Sequence, residues 1–367
     1  GGLLKSAGDL TLDTQGELLT NLNSGKTGGI ISAGNVKLTA QGINNEAGWI
    51  HADKNLTLDG QQGKITNRNS QPEQGISSQG TPTIAAGTIN NHHGTITANQ
   101  QLKVTSTGAV DNTSGKIVSQ NQQLTMNTGE LNNTSGLLQS KTTLSLNTHG
   151  QKLTNTQSGD DLGIRSDSDL TLEAGEIDNT AGVIDSQGET ILTSQNLNNT
   201  DGKILSKGKA DLTTQAVNNQ RGLIQSLASL KLDTQQHELT NTDSGKNGIV
   251  AEDALELTTG KLINDRGDIR GNETRINTHQ QALNNVAGTI FSKKNLKLDS
   301  GELNSTGGRI ESTGDMTLDT HGEKLTTAKS GKTGGVISQG TMTLTTGEID
   351  NQEGFIKGTG TTTVTGG

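Results

Sequence analysis

The sequence has no cysteine and no tyrosine, and its 367 residues include only one tryptophan and two prolines. The absence of cysteine excludes a disulfide framework and cysteine-ligated metal, and it is compatible with export in an extended state. Leu, Ile, Val and Phe make up only about a fifth of the chain, close to the level at which disorder is the expected state. A conventional globular core of this length is therefore hard to build.

The hydropathy and charge patterns exclude several kinds of partner. No stretch is long and apolar enough to cross a membrane. The net charge of −9 argues against nucleic acid, heparin-like polyanions and anionic lipid as general partners. No signal peptide is recognisable, and the chain starts inside a repeat, at Gly2-Leu3-Leu4. We therefore expect an internal fragment of a longer protein.

The sequence does contain one short pattern, repeated about 17 times. Each copy has a glycine with Ile or Leu two residues later, then a Leu-x-Leu pair, then an aliphatic residue and two asparagines. Examples are Gly288-Thr289-Ile290, Leu296-Lys297-Leu298 and Leu283-Asn284-Asn285. The glycines recur at steps of 19–21 residues, with five longer steps of 26–27 residues. A period near 20 residues indicates a solenoid, and its regularity favours order over disorder.

Alternation of period two dominates each copy, which is typical of β-strands. In the copy that begins at Gly29, the alternation predicts strands at about 30–33, 36–39 and 42–45. It directs Lys37 and Thr39 outward and five residues inward: Ile31, Ala33, Val36, Leu38 and Ile43. Three strands and three corners in about 20 residues form one coil of an all-β, right-handed parallel β-helix. We predict about 17 coils in a single domain over residues 1–367, because no linker interrupts the count.

One asparagine of each pair would fall at the same corner in every coil. Such residues stack into a column whose amides hydrogen-bond to one another. The predicted column contains Asn45, Asn91, Asn112, Asn133, Asn179, Asn199, Asn219, Asn285 and Asn351. A row of side-chain amides could also bind a sugar. A structural ladder is the favoured interpretation, because nearly every coil has one.

The longer coils form a second period. They begin at Gly2, Gly48, Gly136, Gly222 and Gly308, and the last four recur every four coils. Their inserts resemble one another and carry Lys26, Lys246 and Lys332, which we predict as possible surface-contact residues on one edge of the helix. Gln71–Gln74 and Asp160-Asp161 depart from this pattern in the other two inserts. Duplication of a four-coil block explains the spacing without a function, and a contact edge is the alternative.

The Gly-x-Ile-x-Ser/Ala, Leu-x-Leu-x-Thr/Ala and Leu/Ile-Asn-Asn pattern resembles the repeats of filamentous haemagglutinin-like exoproteins over essentially the whole chain. The resemblance implies a structural shaft segment of a secreted filament that presents an adhesive or toxin-delivery module on the surface of a Gram-negative bacterium. It also implies two-partner secretion, as in adhesins and contact-dependent growth-inhibition toxins with roles in virulence. The implied partners are flanking repeats of the same polypeptide, an outer-membrane transporter during secretion, and a target-cell receptor bound through other regions.

The rival interpretation is a β-helical domain that binds or cleaves carbohydrate, which requires carboxylates and a basic residue converging on one face. The densest acidic patch, Asp160 to Asp169 with Arg165, lacks the features of a calcium loop. His279 and His321 would lie two coils apart, too far to share one ion directly. The sequence Ser-Gly-Lys-Thr-Gly lacks the first glycine and the helix of a phosphate loop. We therefore predict no catalytic residues, no cofactor and no metal site.

Overall fold

The computed structural model describes residues 1–366 of the chain. The regular elements in this range are short β-strands. No helix capable of crossing a membrane occurs among these residues. The chain divides into two compact units: unit 1 holds residues 1–178 with 182–188, and unit 2 holds residues 179–181 with the chain from residue 189 onward. The single continuous domain over residues 1–367 stays a prediction.

In unit 1, successive turns contribute strands to three parallel sheets, here named A, B and C. Sheet A of unit 1 consists of Leu3–Ser6, Gly29–Ser32, Trp49–Ala52, Gly75–Ser78, Thr95–Ala98, Lys116–Ser119, Leu137–Ser140, Gly163–Ser166 and Val183–Ser186. Sheet B consists of Leu10–Asp13, Val36–Thr39, Leu56–Asp59, Pro82–Ala86, Leu102–Ser106, Leu124–Asn127, Leu144–Asn147 and Leu170–Glu173. Sheet C consists of Leu19–Thr20, Ile43–Asn44, Lys64–Thr66, Thr88–Asn90, Val110–Asp111, Leu131–Asn132, Leu153–Thr154 and Ile177–Asp178.

Unit 2 repeats the arrangement. Its sheet A strands are Lys203–Ser206, Leu223–Ser226, Gly248–Ala251, Asp268–Gly271, Thr289–Ser292, Arg309–Ser312, Gly335–Ser338 and Ile356–Gly358. Its sheet B strands are Thr190–Thr193, Ala210–Thr213, Leu230–Asp233, Ala254–Thr258, Glu273–Asn277, Leu296–Asp299, Met316–Asp319, Met342–Thr345 and Thr362–Thr365. Its sheet C strands are Leu197–Asn198, Val217–Asn218, Leu239–Thr240, Leu262–Ile263, Leu283–Asn284, Leu303–Asn304, Leu325–Thr326 and Ile349–Asp350.

The register between strands confirms the predicted all-β, parallel β-helix of about 17 turns. Ile96 lies opposite Ile117, and Ile117 lies opposite Leu138, so one turn takes 21 residues at this point. All described strand pairs are parallel, as expected when each turn returns the chain to the same three faces.

The longer turns occur where the glycine spacing predicts them. Leu137 lies opposite Gly163, a step of 26 residues. The other long steps join Leu3 with Gly29, Trp49 with Gly75, Leu223 with Gly248, and Arg309 with Gly335. By register these steps span 25 or 26 residues, slightly fewer than the glycine count suggests, because the glycine that ends a long turn is itself the first residue of the strand.

This shift makes part of the predicted alternation wrong. In the strand Gly29–Ser32, Ile30 and Ser32 are buried, whereas Ile31 is half-buried and Ala33 is exposed. In an ordinary turn the glycine precedes the strand, but Gly29 occupies the first strand position with a φ of 119°. The inward positions of the sheet A strand therefore lie one residue earlier after a long turn. The other inward predictions in this copy, Val36, Leu38 and Ile43, are confirmed.

The core of each unit is a thin column of aliphatic side chains. One turn of unit 1 supplies Ile117 from sheet A, Leu124 and Met126 from sheet B, and Leu131 from sheet C, each at most 1% exposed. Burial of one such side chain contributes roughly 1.5–3 kcal/mol, before the entropy of ordering the chain. The column explains how a chain with few apolar residues folds, because each turn needs only four of them.

Small polar residues fill the corners between the sheets. Ser119, at the end of a sheet A strand, donates a hydrogen bond to the carbonyl of Gln100 at 2.6 Å. Thr128, after a sheet B strand, donates to the carbonyl of Gly129 at 2.9 Å. Asn133, after a sheet C strand, is fully buried. These side chains satisfy backbone groups that the corners would otherwise leave unpaired in the interior.

Candidate functional site

The five long loops connect a sheet C strand to the next sheet A strand. Three of them lie in unit 1, at residues 21–28, 67–74 and 155–162. Two lie in unit 2, at residues 241–247 and 327–334. Within each unit they leave the helix at the same corner, as the sequence predicts.

A serine has the same structural role in all five loops. In an ordinary turn, the first N–H of a sheet A strand donates to a glycine carbonyl of the preceding turn, as Lys116 does to Gly94 at 2.9 Å. One turn beyond a long loop, the N–H at this position donates instead to a serine Oγ of the loop, as Val183 does to Ser158 at 3.0 Å. The other four pairs are Trp49 with Ser24, Thr95 with Ser70, Asp268 with Ser244, and Phe355 with Ser330. The recurring serine is thus explained by the backbone alone, which supports the duplication hypothesis.

The predicted contact lysines lie at the tips of three of these loops. Lys26 belongs to unit 1, and Lys246 and Lys332 belong to unit 2. All three are exposed, and among the described residues none forms an ion pair within 4.0 Å. Their role in surface contact stays a prediction.

The asparagine column forms a continuous hydrogen-bonded ladder in each unit. Asn133 Nδ2 donates to Asn155 Oδ1 at 2.8 Å and to the carbonyls of Gly136 and Gly163 at 3.2 Å. The ladder of unit 1 runs through Asn21, Asn45, Asn67, Asn91, Asn112, Asn133 and Asn155. The ladder of unit 2 runs through Asn179, Asn199, Asn219, Asn241, Asn264 and Asn285, and ends on Ser305.

The sequence pattern found only part of this ladder. The predicted column contains only asparagines that follow Asn or Asp. It therefore missed those that follow Thr or Ile, which are Asn21, Asn67, Asn155, Asn241 and Asn264. The structure shows that only the second residue of the pair is buried in the ladder, while the first faces outward, as Asn132 does beside Asn133. Asn351, predicted as part of the column, accepts a hydrogen bond from Thr327 Oγ1 at 2.5 Å.

Comparison with known protein families identifies the family to which these repeats belong. The haemagglutinin repeat family matches residues 5–81, 64–114, 111–160, 144–213, 271–326 and 317–367, which is more than half of the chain. The chain belongs to the haemagglutinin repeat family. No curated protein and no solved structure matched it. Haemagglutinin repeats build structural, non-enzymatic segments of proteins that are typically secreted or surface-exposed.

The haemagglutinin repeat architecture also continues through residues 214–270, which the family matches do not include. Ala251 takes the corner position that serine holds in most other turns, and Ile263 replaces the outward asparagine of sheet C. The buried ladder nevertheless persists, because Asn241 donates to Asn264 at 2.8 Å. The structure of a haemagglutinin repeat therefore tolerates changes at positions that the sequence pattern emphasises.

One group of potential metal ligands lies on the surface of the repeats in unit 2. Asp299 and Asp319 lie directly opposite each other on neighbouring sheet B strands. Ring nitrogens of His321 are 3.4 Å from an oxygen of Asp299 and 3.9 Å from one of Asp319. The three side chains could offer three ligands to a divalent cation. His279, the neighbour considered from the sequence, is not part of the group and its ring lies 2.9 Å from the carbonyl of Thr259.

A serine, a histidine and an aspartate also line up on the outer face of sheet A in unit 1. His51 Nδ1 is 2.7 Å from Ser77 Oγ, and His51 Nε2 is 2.9 Å from Asp53 Oδ1. Acyl transfer additionally needs N–H donors aimed at a developing oxyanion. Ser77 lies in a strand that is paired on both sides, with His51 and Thr97 opposite, so the nearby backbone amides belong to the β-ladder. The arrangement therefore lacks the oxyanion donors of an acyl-transfer site.

Alternating charges connect successive turns of the haemagglutinin repeats in unit 2. The Arg221 guanidinium contacts both oxygens of Asp201, at 2.8 and 3.1 Å, and Arg266 Nε lies 2.6 Å from Asp243. The hydrogen bond from Arg221 lowers the pKa of Asp201, and the hydrogen bond from Arg266 lowers that of Asp243. These four groups form a ladder of exposed ion pairs.

We expect this charge ladder to make unit 2 less stable in acid. A carboxyl whose folded pKa is lowered stabilises the fold above its unfolded pKa of about 4, and this contribution is lost as the pH falls through the folded value. Arg221→Gln should therefore reduce the loss of stability between about pH 7 and about pH 3, measured by urea unfolding. Arg275→Gln removes an arginine that has no ion pair among the described residues, and it should leave the pH profile unchanged. An equal effect of both variants would contradict the assignment.

Proposed function

We propose that this chain is a structural shaft segment of a secreted cell-surface filament, which holds an adhesive or toxin-delivery module away from the producing cell. The observation that carries the proposal is the uniform turn: each supplies a few buried aliphatics and corner residues that satisfy the backbone. Repetition of one short turn lengthens the molecule without requiring a new sequence pattern for each turn, which suits a spacer.

The proposal extends to the partners of the shaft. Leu4 is 42% exposed and Val364 is 46% exposed, although they occupy the inward positions held by buried Ile30 and Leu344 in adjacent turns. We propose that flanking repeats of the same polypeptide cover these side chains. Export by two-partner secretion through an outer-membrane transporter of a Gram-negative bacterium, and binding of a target-cell receptor by other regions, belong to the same proposal.

Removal of four whole turns from the full-length protein tests the shaft role. Trp49 and Leu137 occupy equivalent first positions in sheet A, so deletion of residues 49–136 joins two turns in register. We expect the shortened protein to fold and to be exported. Its adhesion to, or inhibition of, target cells should fall because the module stands nearer to the producing cell.

A deletion of residues 49–126 serves as the control for register. It joins Gly48, which precedes a sheet A strand, to Asn127, the last residue of a sheet B strand, and should prevent folding of the turns beside the joint. If the in-register deletion is displayed normally and the cell-contact activity is unchanged, the shaft proposal is wrong. Release of sugars from a polysaccharide by the purified chain would instead support the carbohydrate-cleaving alternative.

We also propose that the long loops form a contact edge with Lys26, Lys246 and Lys332 as contact residues. The exposure of these lysines and their freedom from ion pairs among the described residues support this role. Repetition of weak contacts along a filament would add up through multivalency.

A further inference from the structure

The first two long loops lie closer together than the others. The long turns that start at Leu3 and Trp49 are separated by a single ordinary turn, from Gly29 to Trp49. Later long turns start at Leu137, Leu223 and Arg309, with three ordinary turns between them. The loops 21–28 and 67–74 therefore stand next to each other in unit 1. Gln74 Nε2 donates a hydrogen bond to the carbonyl of Gly25 and joins the two loops.

A cavity of about 370 Å³ lies between these two loops. Asn23 and Lys26 line it from the first loop, Gln71, Pro72 and Gln74 line it from the second, and Ala47 belongs to the turn between them. The lining combines amide groups with the apolar surfaces of Pro72 and Ala47. Lys26 is the only charged side chain among the described residues that line it.

The side chain of Gln74 has an unfilled hydrogen-bonding position. The residue is only 9% exposed, and its Oε1 has no hydrogen-bond partner among the described residues. A buried acceptor without a partner costs roughly as much as a lost hydrogen bond, so an occupant that supplies an N–H would be favoured. The exposed ammonium of Lys26 favours an occupant that also carries negative charge.

The same chain carries one loop with this chemistry. The loop 155–162 has Asp160 and Asp161 at its tip. The other loops carry Lys26-Thr27, Pro72-Glu73, Lys246-Asn247 and Lys332-Thr333 at these positions. Both aspartates are exposed, and neither carboxylate forms an ion pair within 4.0 Å among the described residues. Arg165 fixes the shape of the tip through the carbonyls of Asp160 and Leu162, at 2.6 and 2.9 Å.

We propose that the cavity between the first two long loops receives the Asp160-Asp161 loop tip of a second copy of this chain. Lys26 pairs with a carboxylate of the tip, and Gln74 Oε1 accepts a backbone N–H from it. The proposal rests on the contact edge proposed above, and it names the partner for one of its three lysines. Because cavity and tip are different surfaces, each copy can contact another copy through either of them.

Charge reversal tests the contact in the purified chain of residues 1–367. Sedimentation velocity at increasing protein concentration should show self-association that weakens with added salt. Lys26→Glu should weaken the association about fivefold, as should Asp160→Lys combined with Asp161→Lys. Combination of all three substitutions should restore the association, because the ion pair is rebuilt with opposite polarity.

Lys103→Glu is the matched control, since it reverses an exposed lysine of unit 1 that lies outside the long loops and has no ion pair among the described residues. It should leave the association unchanged, and thermal unfolding of every variant should match the original chain. Equal weakening by Lys26→Glu and Lys103→Glu would overturn the proposal, as would failure of the combined variant to recover or absence of association. These results would leave the deletion test of the shaft role unaffected, so the two failures are distinguishable.

Discussion

Asn133→Asp is expected to destabilise unit 1 by about 3–5 kcal/mol, the range measured when a buried charge is left without a partner. The amide nitrogen of Asn133 donates to three acceptors: the side chain of Asn155 and the carbonyls of Gly136 and Gly163. A carboxylate cannot donate, and it would face these three oxygens at a fully buried site. Urea unfolding of the purified chain measures the loss.

The neighbouring residue supplies a control of identical chemistry. Asn132 faces outward, and its Oδ1 accepts hydrogen bonds from the backbone N–H and the hydroxyl of Thr134. A carboxylate accepts such bonds as well as an amide does, and Asp111 already accepts the N–H of Thr113 in the preceding turn. Asn132→Asp should therefore change stability by less than about 0.5 kcal/mol. Similar losses in the two variants would show that the ladder does not stabilise the fold.

Gly163→Ala is expected to cost about 3 kcal/mol or more in the free energy of unfolding, from two separate causes. Gly163 has a φ of 106°, which side-chain-bearing residues rarely adopt. A Cβ at this position would also lie only 2.3 Å from the carbonyl oxygen of Val183 in the next turn. That oxygen belongs to a paired strand and has no room to withdraw.

A second glycine of the same loop separates the two causes. Gly159 has a φ of 59°, and a Cβ there would have no atom within 4 Å. Gly159→Ala should therefore show only the backbone strain, about 1 kcal/mol. Urea unfolding of both variants gives the comparison. A loss at Gly163 no larger than that at Gly159 would mean that the next turn moves to make room.

Much of the fold follows from the spacing of side chains in the sequence. Val36, Leu38 and Ile43 could be directed inward because strands alternate with a period of two and one face must be buried. The same reasoning directed Ile31 inward in error. Whether a glycine precedes a strand or begins it depends on where the next strand lies, and this information is not local to Gly29.

The loop contacts could not be predicted for a related reason. Ser158 looks like one serine among many, and its partner, the N–H of Val183, is 25 residues away. The contact between Gln74 and Gly25 spans 49 residues and exists only because two long turns are separated by a single ordinary turn. The exposure of Lys26 at a loop tip could be predicted, because the exposure of a residue in a protruding loop does not depend on contacts with distant parts of the chain.

A serine and a glycine flank the tip of each long loop. They keep the register of the sheets independent of the number of residues in the tip. In unit 2, four residues lead from Ser244 to Gly248 and five lead from Ser330 to Gly335. Both serines nevertheless accept an N–H from the equivalent position of the following turn, that of Asp268 or Phe355. A loop between these two fixed points can lose a residue without shifting any neighbouring strand. The tips are therefore free to diversify in evolution, and they are natural places to graft foreign peptides.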